Sequence, residues 1–358
     1  MSIGRRSTSV ATALGLAFCQ GCGAGEVAER EAQPAIVAPE PTSFAELFQE
    51  RGAVRLEQPD SAPLVGLSSL DVSADGRLVA ADLSETNVKV YGPDGQLLHV
   101  LGRKGHGPGE FDYPAFPRFD GDDIIVADMG SKLVSRFDSA GEFRGHVPML
   151  FLSSMSDFQL LPDGDYLFAG LSTDPTNPAV LFRANRDGKL IRQYLGIRGV
   201  TPEGVADSPL WRTFRSFYIA LDGHMAYVIA TISDSLWTVD LESGREDRTR
   251  LALPGYRPPP PIPRGGFRSL VEMREFAAAY NQAERPLFAD GVLVIPFVRG
   301  VVAYGDPFIL AIRQGPERWL YATDAPPLIG TASASFIGLR EPLGLGGESI
   351  QIAFYRRR

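Results

Sequence analysis

The side chains able to do chemistry are few and unevenly placed. The 358-residue chain holds four histidines, His99, His106, His146 and His224. A catalytic zinc site draws on three protein ligands brought to one point. His99 and His146 fall on strands read as outermost in their sheets, His106 in a glycine-rich link and His224 in a hairpin turn, so no zinc trio is expected. Both cysteines, Cys19 and Cys22, lie near the N-terminus, which leaves the rest of the chain without a thiolate ligand, a cysteine nucleophile or a disulfide. Asp71, Asp157, Arg118 and Arg215 are better candidates. Each sits beside an apolar residue at a comparable place in a repeated strand pattern, where it could line a shared opening. Calcium takes oxygen ligands of the Asp and Asn kind, so calcium is the one ion this set could accommodate. The plainer expectation is that these groups bond to water, with no cofactor. Gly107-Pro108-Gly109-Glu110 lacks the Lys-Ser/Thr and the helix of a phosphate loop, and no Gly-x-Ser-x-Gly elbow occurs.

Those residues are carried by a repeat of short strands. In Leu70–Gly102, Leu70 and Val72 alternate with polar residues, Asp75-Gly76 makes a turn, and Leu78–Asp82, Asn87–Tyr91 and Leu97–Leu101 follow as strands. A second copy starts near Phe116, with Ile124–Asp128 repeating Leu78–Asp82. Looser copies run from Phe158, Phe217 and Phe288, and the last region offers about two strands, Ser333–Gly338 and Ser349–Tyr355. Four antiparallel strands per repeat predict an all-β, six-bladed propeller. A ring left open would expose an unpaired sheet edge, so Ala53–Gln58 is expected to complete the last blade. Asp82 and Asp128 are expected to hold the turns that follow them. Between blades four and five lies a Pro-rich and helical insertion, 255–286. Its helix is read over Ser269–Gln282, with Leu270, Met273, Phe276, Ala277 and Tyr280 at helical spacing. Arg257, Arg264, Arg268, Arg274 and Arg285 make it basic, as a lid, a partner-binding element or a plain insertion. Trp211, Phe214, Arg215 and Tyr218, at the crossover from blade three to four, could share its face.

Composition agrees. Hydrophobic residues make up 44% and charged residues 22%, enough apolar material for a core, and 38 Gly with 28 Pro favour many turns. The net charge of −8 argues against nucleic-acid binding, which needs a basic surface.

Residues 1–21 read as an export signal: Arg5 and Arg6 precede the uncharged run Ser7–Phe18, which is too short to span a bilayer. Residues 22–52, rich in Ala, Glu and Pro, read as a tether with a short helix at Phe44–Gln49, and 53–358 as the propeller. The signal resembles that of bacterial lipoproteins, in which a cysteine after small residues is lipidated. Cys22, after Gly21, fits better than Cys19, after Phe18. The alternative is a secreted protein that discards both.

The link Leu101–Pro114, with its Gly102, Gly105, Gly107, Pro108, Gly109, Glu110, Phe111 and Pro114, together with Val-Ala-Asp at 126–128, resembles the NHL repeat and the bacterial six-bladed β-propeller lipoproteins. The likeness covers roughly 53–358 and is strongest over 66–148. It implies an envelope-exposed, lipid-anchored monomeric scaffold that binds an envelope protein, peptide or glycan. The expected binding residues are Asp71, Arg118, Asp157 and Arg215 at the channel mouth, with Trp211 and Tyr218 on the insertion face. Some six-bladed relatives are lactonases or lyases with a calcium or zinc ion in the channel, which is the alternative.

Overall fold

The computed structural model describes residues 40–197, 216–260, 267–299, 308–314, 318–340 and 350–358. They fall in one compact unit, Ala38–Arg358. It begins with a single-turn helix α1 (Phe44–Leu47) and the strand β1 (Phe48–Arg55). Blade 1 is β2 (Leu67–Val72), β3 (Leu78–Asp82), β4 (Asn87–Tyr91) and β5 (Leu97–Leu101). Blade 2 is β6 (Pro114–Asp120), β7 (Asp123–Asp128), β8 (Leu133–Phe137) and β9 (Phe143–Pro148). Blade 3 is β10 (Leu152–Leu160), β11 (Tyr166–Ser172), β12 (Ala179–Ala184) and β13 (Leu190–Gly196). Blade 4 is β14 (Phe217–Asp222), β15 (Met225–Ala230), β16 (Ser235–Asp240) and β17 (Glu246–Arg250). Each is an antiparallel sheet in sequence order. The chain is a six-bladed β-propeller.

The helix α2 (Leu270–Ala278) precedes blade 5, whose inner strand is split into β18 (Asn281–Ala283) and β19 (Leu287–Ala289). Both halves pair with β20 (Val292–Arg299), and β21 (Phe308–Gln314) and β22 (Arg318–Ala325) follow. The sequence places this blade's first strand near Phe288; the structure starts it at Asn281. Blade 6 holds three C-terminal strands, β23 (Leu328–Ala332), β24 (Ser335–Leu339) and β25 (Gln351–Arg357), and β1 pairs with β25 as its outer strand. Strand β23 escapes the sequence pattern because its turn has no glycine; Ser333 takes the left-handed conformation instead, at φ 50°.

The expected closure by an N-terminal strand is present, but that strand runs over Phe48–Arg55 rather than Ala53–Gln58. A bulge between Glu50 and Gly52 interrupts its pairing, and its middle is exposed on both faces, so the strand shows no alternation to read. The fold reaches further back still. Asp324 on β22 accepts the Phe44 N–H and the Ser43 hydroxyl, both at 2.7 Å. Phe44 and Phe48 are buried between blades 5 and 6.

Every seam between neighbouring blades is an apolar cluster. Blades 1 and 2 share one built on Val79, Val90, Phe111 and Phe137. The ring closes through another, where Leu70 and Tyr91 of blade 1 meet Ile337 and Ile352 of blade 6. In the link between blades 1 and 2, Phe111 is 1% exposed and plugs the seam. Gly102 beside it has φ 66°, and a Cβ there would collide with the Phe111 ring, so only glycine serves. Among the described residues no helix is long and apolar enough to cross a membrane.

Candidate functional site

Each blade sets its inner strand against the channel. Asp82, at the end of β3, fixes one entry. Its carboxylate accepts the N–H groups of Val65, Gly66, Ser84 and Glu85 and the Lys89 ammonium at 2.8 Å, with Asp82 and Lys89 both fully buried. Burial works against that charge, but Lys89 and the backbone donors outweigh it and hold the Asp82 carboxyl below its usual range. Asp128 repeats the device in blade 2, accepting the N–H groups of Asp112, Tyr113, Gly130 and Ser131. These aspartates hold the following turn, as their position implies, and also clamp the chain entering the blade's inner strand.

Aligned on their hairpins, the inner strands place Asp71, Arg118, Gln159, Ala220, Leu287 and Gly330 at one level. All six line a cavity of about 90 Å³ at the axis. At this level blades 1 to 3 give it polar groups and blades 4 to 6 small or apolar ones, while Arg285 of blade 5 and Thr331 of blade 6 also line it. A second cavity of about 360 Å³ lies against the hairpins of blades 2 and 3, and Asp71 and Arg118 line both. Asp71 Oδ2 accepts the Phe119 N–H of blade 2 at 2.9 Å. Arg118 is 8% exposed and donates to the Pro117 and Phe158 carbonyls at 2.8 and 2.9 Å. Burial pushes the Asp71 carboxyl up, more than Arg118 and the backbone donors draw it down.

Two residues earlier on each strand lies the next layer, with Phe116, Asp157, Tyr218 and Arg285 among its members. Asp157 is fully buried and accepts the N–H groups of Phe158 and Ile219, each at 2.8 Å. Arg285, in the break between β18 and β19, crosses from blade 5 to it. Its Nε and Nη2 lie 3.1 Å from Oδ2 and Oδ1 of Asp157, and its guanidinium carbon sits 5.0 Å from the Phe116 ring centre and 5.9 Å from that of Tyr218. A guanidinium over aromatic faces gains cation–π attraction. Arg285 is therefore a strut tying blades 2, 3, 4 and 5. Next to it, burial pushes the Glu284 carboxyl up to about 7 against the pull of Arg285. Burial, reinforced by the Glu284 charge, also raises the Tyr218 hydroxyl.

Of the residues singled out from sequence, Asp71, Arg118, Asp157 and Tyr218 come together around the channel. Asp157 lies one layer away from Asp71 and Arg118, because Gln159 takes their level in blade 3. Arg215, Trp211 and Cys22 lie outside the described residues. Sequence reasoning passed over Gln159 and Phe116, noted Arg285 only as one of the basic residues of the insertion, and missed the role of Glu284. Counting back from each Asp-Gly hairpin would have found them. His99 and His146 are on the outer strands β5 and β9, as expected. Among the described residues no three His, Cys, Asp or Glu side chains gather as a metal site. The donor set around the channel also suits a cation poorly, since Arg118 and Arg285 stand beside its two aspartates.

Helix α2 is capped by Ser269, whose Oγ accepts the Glu272 N–H at 3.1 Å. Phe276 and Tyr280 pack with Phe267 on Ile232 of blade 4. Leu270 and Val271 are exposed, so the apolar stripe read from sequence is buried only at its C-terminal end.

The class follows from this ring. Residues 40–200 match the model of a family, DUF5128, described as a 6-bladed beta-propeller. No curated protein matches the chain. Solved structures share the fold at low identity. A Bacteroides fragilis protein named for its inferred export has a TM-score of 0.64 and 12% identity, over 90% of this chain and 98% of its own. A Bacteroides vulgatus protein of the DUF4221 family gives 0.63 and 10%, over 87% and 99%. The virginiamycin B lyase of Staphylococcus aureus gives 0.50 and 10%, over 86% and 99%.

Proposed function

We infer that the protein is an exported, lipid-anchored propeller of the NHL-like kind that acts as a binding scaffold in the cell envelope, as a monomer. The observation that carries this reading is that the channel's carboxylates are already engaged within the fold and, among the described residues, none converge. Asp157 is held by two backbone N–H groups and Arg285, and Asp71 by the Phe119 N–H. A catalytic channel metal needs carboxylates or imidazoles free to converge on it. The charged run-in at Arg5 and Arg6 and the cysteine Cys22 support export and anchoring. The fold likeness to a protein named for export agrees with this.

The second reading, a lactonase- or lyase-like enzyme with calcium or zinc in the channel, draws on the fold likeness to the virginiamycin B lyase. Elemental analysis of purified protein, with thermal unfolding before and after chelation, separates the two. The scaffold reading expects no stoichiometric metal and an unchanged Tm; one bound equivalent whose removal lowers Tm supports the enzyme. Fractionation of cells making the full chain or its Cys22→Ser variant tests the anchor. The parent is expected in the membrane fraction and the variant in the soluble exported fraction.

A further inference from the structure

We propose that the two cavities at the hairpin end of the channel, which share Asp71 and Arg118 in their lining, bind a neutral polyhydroxylated ligand, a sugar ring, through those two residues and through Gln159 in the inner one. This inference rests on the scaffold reading and names its ligand class. The first ground is a set of polar atoms with spare capacity. Gln159 gives its Nε2 to the Ile219 carbonyl at 2.9 Å, which leaves its Oε1 as an acceptor. Arg118 carries five N–H groups and spends them on two carbonyls; its closest carboxylate, Asp157, is 4.0 Å away and held by Arg285. A buried guanidinium with donors to spare is costly unless something accepts from them. Asp71 adds a carboxylate that takes only backbone N–H groups, from Phe119 and Val72, and so keeps lone pairs able to accept more.

The second ground is charge. In the outer cavity Asp120 is paired with both Arg136 and Arg186. In the inner cavity Arg285 is paired with Asp157, which leaves the Asp71 carboxylate, the Arg118 guanidinium and the Gln159 amide, with Thr331 also in the lining. That set repels neither sign strongly and favours a ligand whose groups donate and accept at once, as hydroxyls do. The third ground is shape. The outer cavity of about 360 Å³ falls in the range of about 300–1,000 Å³ usual for small-molecule sites. In the inner cavity Asp71, Arg118 and Gln159 share the lining with the apolar or small Ala220, Leu287 and Gly330, and with Arg285 and Thr331. A sugar ring has the matching division, hydroxyls at its edge and C–H groups on its face.

Saturation-transfer NMR on the purified chain tests this with the methyl glycosides of glucose, galactose, mannose and N-acetylglucosamine, and with acetate and glycine as charged competitors. The expected result is saturable binding of at least one glycoside that neither competitor displaces. Gln159→Leu and Arg118→Lys, with folding checked by circular dichroism, should each weaken it about five- to tenfold, the loss of roughly one hydrogen bond. The proposal is overturned if no glycoside saturates by about 50 mM, a very weak affinity. It is equally overturned if acetate or glycine displaces the glycoside, or if both folded variants bind as the parent does. Metal content and membrane fractionation are read separately, so failure here leaves the scaffold reading standing.

Discussion

Blades 1 and 2 on one side and blade 5 on the other solve the same problem differently. In the first pair, an aspartate at the end of the second strand takes four backbone N–H groups and fixes where the inner strand enters. Charge there is used up inside the same blade and the chain that enters it. In blade 5 the inner strand breaks at Glu284–Pro286, and the break sends Arg285 across the channel to Asp157. It also leaves Glu284 in a setting that disfavours its charge. Repetition keeps the ring; the departure from repetition puts unusual groups at its axis. Local strain and awkward charge of this kind are tolerated only where the surrounding structure holds them.

The largest effect should come from breaking the regular side. Asp82→Asn removes the counter-ion of a fully buried Lys89, so a loss of about 3–5 kcal/mol is expected in urea unfolding. Asp128→Asn should cost less, about 1–3 kcal/mol, since Ser135 stands where Lys89 does. Equal losses would mean that the lysine adds nothing. On the irregular side, Arg285→Leu leaves Asp157 buried with its backbone donors and Arg118 at 4.0 Å. A loss of about 2–3 kcal/mol is expected, below that of Asp82→Asn because the Arg285 side chain is 18% exposed. A loss well under this would show that the strut does not tie the blades. The smallest effect concerns α2. Ser269→Ala should cost the helix about 1 kcal/mol, seen as faster hydrogen exchange over Leu270–Ala278 with an unchanged global Tm.

The repeated half of the molecule was legible because its signals are local. Asp-Gly turns, alternation in Leu70–Val72 and the paired cores Leu78–Asp82 and Ile124–Asp128 fix blade number and order. Phe111, which plugs the seam, stands out in the glycine-rich link for the same reason. What escaped depends on pairing over long separations. Strand β1 has no alternation to read because its middle is exposed on both faces, and it earns its place only against β25, some 300 residues later. The role of Arg285 was hidden because it sits in what looks like an insertion, and its partner Asp157 lies 128 residues away. Asp71 and Asp157 look equivalent beside their apolar neighbours, yet Asp157 lies two residues further from its hairpin and so falls in a different layer.

The contrast between the two sides rests on the sign of their pH dependence, and Glu284→Gln tests it most directly. A carboxyl whose folded pKa is about 7 against an ordinary 4.5 binds a proton more readily folded than unfolded. Its contribution to stability therefore falls as pH rises from about 4.5 to about 7 and stays low above that. Asp82, held below its usual range, contributes the other way: its share is present at neutral pH and is lost only in acid. Stability measured by urea unfolding at about pH 5 and about pH 8 should show Glu284→Gln close to the parent at the lower value. At the higher value it should be more stable by about 1–3 kcal/mol. A variant less stable than the parent at about pH 8 would mean that Glu284 supports the ring as Asp82 does, and would contradict the division drawn between the blades.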